Sequence, residues 1–168
     1  MTTEPVLDAE APAHFNDVKR PLSGIGGWLA LVAFGQVLGL LKVLGGLAQY
    51  YTTIEQELWK RFPTVLWGEV ALNAFHFWLI VSTTVLLFRH SRNFPRFFVW
   101  QMLAVILVPL IDLFWVASMI GLATGQPVSN YLTLDPNDGR QIVAGIIGAA
   151  IWIPYIRRSR RVANTFTR

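Results

Sequence analysis

The chain has 168 residues, of which 54% are hydrophobic and 14% charged, and its formal net charge is +4. A soluble domain usually carries about 25% charged residues, so this chain lacks the polar surface for a water-facing fold and lipid is its expected solvent. It has no cysteine, which excludes disulfides, zinc–thiolate sites and thiol nucleophiles.

The first stretch, MTTEPVLDAEAPAHFND, is acidic and contains prolines. It lacks the positive start, short apolar core and small-residue cleavage site of a secretory signal. Residues 1–20 therefore read as a flexible acidic cytoplasmic tail, with Lys19 and Arg20 at the membrane. Residues 21–156 read as an all-α, four-helix transmembrane bundle. A spanning helix needs about 20 mainly apolar residues, and 25–49, 65–88 and 97–121 supply them. The fourth span, 141–156, is short, but Arg140 and Arg157 flank it and can snorkel to the two interfaces. A re-entrant or interfacial helix is the alternative for that segment.

In the first span, Gly35, Gly39, Lys42, Gly46 and Gln49 share one stripe. Gly35 and Gly39 form a GxxxG pair, which lets another helix approach closely. Packing within the chain is the preferred reading of that pair and a homodimer seam the alternative. The connection YYTTIEQELWKRFP has apolar groups at Tyr51, Ile54, Leu58 and Phe62, a spacing that suits either a short surface helix or an ordinary loop. The second span carries Glu69, Asn73 and His76 at i, i+4 and i+7, with Thr83 continuing the same face. A tight hairpin, RHSRNFPR, leads to the third span, where Gln101 and Asp112 lie on nearly one face. Pro109 is expected to loosen or kink that helix one turn before Asp112. The loop DPNDG has part of a calcium-loop pattern, but one position is missing before Gly139 and the distal Glu is absent. A turn with Asp138 capping the fourth helix is expected instead. Ala144 and Gly148 repeat the small-xxx-small spacing, and 157–168 reads as a basic cytoplasmic C-terminal tail.

With the N-terminus inside, ten Lys and Arg residues fall on the cytoplasmic side and three, Lys60, Arg61 and Arg140, on the other. That bias, with an even number of spans, places both termini in the cytoplasm. Trp28, Trp100, Trp152 and Tyr155 fall at the inner interface, and Tyr50, Tyr51, Trp59 and Trp67 at the outer one. Trp78 and Trp115 lie deeper and read as packing residues. Arg89, Arg92, Arg96, Arg157, Arg158, Arg160 and Arg161 form a basic rim suited to anionic phospholipids, at about 1 kcal/mol per side chain. Because the run RRSRR abuts a membrane helix, topology explains it and no nucleic-acid partner is expected.

Three spans thus each carry one polar or small face. A charge at mid-membrane costs roughly 2.5–3.5 kcal/mol, so the favoured arrangement turns the three stripes toward each other. At 1.5 Å per residue, Lys42, Glu69 and Asp112 lie ~26, ~28 and ~22 Å from the inner end of their spans, and His76 ~18 Å. One layer then collects Lys42, Glu69, Asn73, His76, Asp112 and Arg140, and Lys42 is expected to bond Asp112 or Glu69. Two readings of the layer stand: register and packing only, or a polar cavity for proton, ion or headgroup contact.

Two stretches, LSGIGGWLALVAFGQVLG (22–39) and IWIPYIRRSRRVANTF (151–166), resemble the bacterial inner-membrane family catalogued as domain of unknown function 2569. The resemblance covers residues 20–166, and Lys42 in the first span departs from what is ordinary there. It implies four spans and a multi-pass place in the bacterial cytoplasmic membrane. It implies no activity and carries over no catalytic residue. No cofactor, metal site or catalytic residue is expected. The chain has no HExxH or GxSxG, and a bis-histidine haem would need a second in-span His. The leading expectation is a non-catalytic accessory or scaffold subunit that packs against lipid, a membrane-protein partner or another copy of itself. The alternative is a small transporter or channel component built on the Lys/Glu/His/Asp layer, although no internal repeat of the kind transporters show is present.

Overall fold

A computed structural model of the chain describes residues 23–167. The expected acidic tail, with Lys19 and Arg20, and the final Arg168 lie outside the described residues. Among the described residues there are helices and turns and no strand. Four helices are long and apolar enough to cross a membrane: α1 (Trp28–Thr53), α3 (Pro63–Phe88), α4 (Phe94–Thr124) and α5 (Pro136–Arg158). Two short helices complete the set, α2 (Gln56–Arg61) and α6 (Arg160–Thr165). The fold is therefore an all-α membrane helical bundle. The fourth span reaches 23 residues, so it is longer at both ends than the sequence pattern suggests.

Local chemistry sets the helix ends. Pro63 and Pro95 occupy the first turns of α3 and α4, where a missing N–H costs nothing. Gly125 closes α4 in the left-handed conformation at φ 67°, and Gln126 N–H donates to Gly121 O at 3.2 Å. At the start of α5 the cap is Asp135, whose Oδ1 accepts from Asn137 N–H at 2.7 Å. The expected cap, Asp138, instead sits in the first turn. Pro136 explains the shift: it is preorganised for the first helical position, which moves the cap one residue upstream of it. α4 runs continuously through Pro109, where the ring leaves the Val105 carbonyl without its usual donor.

Leu29, Leu87, Phe94 and Ile156 meet in one core cluster. One end of the bundle therefore gathers the start of α1, the α3–α4 turn and the end of α5. We term this the terminal end, and the opposite end, with α2 and the α4–α5 connection, the loop end. Main-chain neighbours run in the order α1–α3–α4–α5. Between α1 and α5 the closure is made by long side chains: Trp28 against Trp152 at 6.1 Å and Lys42 against Gln141.

The segment after Arg158 is a folded part of the terminal end, in place of the expected tail. Ser159 ends α5 and its Oγ accepts from Val162 N–H at 3.5 Å, starting α6. Val162, Thr165 and Phe166 are buried. Phe166 stacks on Phe94 at 4.4 Å, Gly24 N–H donates to Thr165 Oγ1 at 2.9 Å, and Arg92 Nε donates to Thr167 O. The apolar positions of VANTF, which follow the arginine run, account for this. They cover Phe94, which is 0% exposed.

Candidate functional site: the polar layer of the loop half

The loop half is held by fewer buried side chains. A close contact there is Trp115 against Gly68, where a Cβ on Gly68 would overlap the indole ring. Trp115 Nε1–H donates to Val65 O at 3.2 Å. Trp115 is thus the packing residue the sequence suggested. Trp78 is not: it is 55% exposed and pairs with Phe75 and Phe97 on the outer surface.

Glu69, Asn73 and His76 on α3 and Asp112 on α4 are half-buried. Glu69 and Asp112 stand close enough to interact electrostatically, and Asp112 interacts in turn with Asp138 on α5. Three helices therefore contribute carboxyls to one region. Asp112 Oδ1 and His76 Nε2 are buried and find no hydrogen-bond partner among the described residues, and the same holds for the Tyr50 hydroxyl.

The expected ion pair is not formed. Lys42 is exposed, and its Nζ donates to Gln141 Oε1 at 3.3 Å rather than to Asp112 or Glu69. Among the described residues the one ion pair is Lys60–Glu57, on the surface helix α2. Arg140 is also exposed and joins no ion pair among the described residues. The physical reason lies at the α1–α5 seam. α1 packs on α3 through its first turns, where Leu29, Val32, Ala33 and Gln36 are buried, and shows no buried residue beyond Gln36. Lys42 therefore meets the edge of α5 rather than the interior. Gln141, one turn after Asp138, is not marked by the sequence, since a lone Gln at a helix start carries no periodic signal.

The glycines give a second correction. A Cβ at Gly35, Gly39, Gly45 or Gly46 would meet nothing within 4 Å. The GxxxG pair thus packs against no helix among the described residues. On α5 the close approach is made by Gly145, where a Cβ would lie 3.1 Å from Val105 and 3.2 Å from Ile106. Ala144 is exposed, and Gly148 faces only Trp152 of its own helix. The sequence spacing identified the right turn and missed the facing residue by one position.

A smaller polar group in the terminal half joins α1 to α3: Thr84 Oγ1 meets Gln36 Oε1 at 3.4 Å, and both Gln36 and Thr83 are buried. Gln101, only 5% exposed, leaves its Oε1 without a partner among the described residues. Among the described residues no group of three or more His, Asp or Glu side chains is placed to hold a metal ion.

The family described as protein of unknown function, DUF2569, matches residues 22–167. The chain belongs to that family. The match takes in all four long helices and α6, so the folded terminal end is part of the family's shared extent. No curated protein and no solved structure matches the DUF2569 chain.

Proposed function

We propose that this DUF2569 protein is a non-catalytic accessory subunit of a membrane complex, and that the exposed glycine face of α1 receives a transmembrane helix of the partner. The observation that carries this reading is the face of α1 on which Gly35, Gly39, Gly45 and Gly46 have nothing within 4 Å of a Cβ position while Lys42 stands exposed beside them. Small residues on a membrane helix favour close backbone approach. An ammonium left facing lipid costs roughly 2.5–3.5 kcal/mol. A partner helix carrying a carboxylate at that depth would relieve both conditions.

In the same proposal both termini face the cytoplasm and the protein lies in a bacterial inner membrane. Support comes from the charges: Arg89, Arg92, Arg96, Arg157, Arg158, Arg160 and Arg161 all lie at the terminal end, and Lys60, Arg61 and Arg140 at the loop end. A reporter fused after Arg168 that fluoresces only in the cytoplasm checks the orientation.

The chain has no native cysteine, so single cysteines report cleanly. Gly39→Cys and Gly46→Cys should crosslink in native membranes, while Phe114→Cys on the exposed face of α4 should not. A product of twice the chain mass would identify a second copy as the partner. Equal behaviour at all three positions would end the accessory-subunit reading.

One observation favours a second reading, a transporter or channel component. Asp112 interacts electrostatically with Glu69 and with Asp138, and Asp112 Oδ1 and His76 Nε2 lack hydrogen-bond partners among the described residues. Intramembrane carboxyls of this kind mark ion and proton paths in other proteins. Proteoliposomes loaded with a pH dye separate the two readings: a proton leak in the parent that vanishes in Asp112→Asn supports transport.

A further inference from the structure

A cleft of about 570 Å³ opens between the start of α4, the end of α5 and α6. Its size falls within the roughly 300–1,000 Å³ typical of small-molecule sites. Arg96, Val99, Trp100 and Leu103 line it from α4. They stand at i, i+3, i+4 and i+7 and so form one helix face. Ile156 and Arg157 line it from α5. Among the described residues the lining includes two guanidinium groups and no carboxylate. Trp100 is 65% exposed, and Phe166 closes the floor through its stack on Phe94.

The vertical order of these groups decides the ligand. The arginines sit at the terminal end, and Leu103 lies ~10 Å further along the helix toward mid-membrane. A free anion would engage the arginines and leave the apolar face unused. An acyl chain would use the apolar face and leave two unpaired cations. A phospholipid satisfies both, and the two arginines with no acid among the described lining residues select against a headgroup that carries its own ammonium. We propose that this cleft is a binding site for one anionic glycerophospholipid. Arg96 and Arg157 hold the phosphate, and an acyl chain lies along Val99, Trp100 and Leu103. The site is independent of any partner at α1.

Trp100 makes the site observable. The protein is placed in phosphatidylcholine nanodiscs containing either brominated-acyl phosphatidylglycerol or brominated-acyl phosphatidylcholine. Quenching of Trp100 is taken as the difference between the parent and Trp100→Phe. The brominated phosphatidylglycerol should reach half-quenching at a mole fraction about fivefold lower than the brominated phosphatidylcholine. Arg96→Gln with Arg157→Gln should abolish that preference, and Arg96→Lys with Arg157→Lys should keep most of it. Arg89→Gln with Arg158→Gln removes two charges from the same end but outside the cleft, and should leave the preference within about twofold. Equal quenching by the two lipids in the parent would overturn the proposal. So would an equal loss of preference in the two glutamine pairs, because that result describes diffuse attraction to a charged leaflet.

Discussion

The two halves of this bundle are built from the same four helices and packed by different means. In the terminal half, aromatic and branched side chains from every long helix meet with α6 around Phe94. In the loop half, α1 has no fully buried residue, and carboxyls from α3, α4 and α5 occupy the region that aromatics fill at the other end. Similar hydropathy along a helix therefore does not imply similar packing. In lipid an apolar side chain gains little by turning inward, so whether a face is covered depends on interlocking shape and polar pairing.

The largest test of that contrast is Phe94→Ala. Phe94 is fully buried between Phe98 and Phe166, and the cavity should cost about 3–5 kcal/mol, read as a lowered unfolding midpoint in detergent. Phe114→Ala, on the exposed face of the loop half of α4, should change the midpoint little. Comparable losses at the two sites would erase the distinction between the halves. Gly68→Ala comes next. The new methyl would overlap the Trp115 indole and displace the Nε1–Val65 bond, for about 1–3 kcal/mol. Gly39→Ala, with open space around it, should leave the isolated chain as stable as the parent. Asp135→Ala should then cost about 1 kcal/mol through loss of the α5 cap, and Asp138→Ala less, because Asp138 contributes no cap bond.

The part of this architecture legible in the sequence is the part written in hydropathy and charge. Four apolar runs, their order and the gathering of seven arginines at one end follow from composition along the chain. The polar positions on α3 and α4 also follow, because a shared face at helical spacing brings Glu69 and Asp112 together wherever the two helices pack. Gly68 under Trp115 was not legible. A single small residue gains meaning only when the facing ring is known, and the same applies to Gly145 in place of Ala144 and Gly148. The fold of α6 was hidden by its arginines, which mark membrane topology so strongly that the apolar positions after them read as a tail. Lys42 was misplaced for a related reason. Depth along a helix can be counted from the sequence, whereas the point at which α1 stops burying side chains, just after Gln36, cannot.

The smallest effect sharpens the comparison most. If Lys42 were paired with Asp112, removing either charge would strand the other, and the double-mutant cycle Lys42→Met/Asp112→Asn would show a coupling of several kcal/mol, as for other broken buried pairs. The observed bond runs instead to Gln141 at 3.3 Å, between two exposed side chains. The Lys42/Asp112 cycle should therefore return a coupling near zero, and Lys42→Met/Gln141→Ala about 0.5 kcal/mol. Both are measurable from unfolding midpoints of the purified chain. A large Lys42/Asp112 coupling would mean that α1 closes on the carboxyls in the isolated protein, and that the loop half is packed after all. A coupling that is small in the isolated chain and grows in native membranes would have the opposite meaning. The seam between α1 and α5 would then be the part of the molecule that its partner completes.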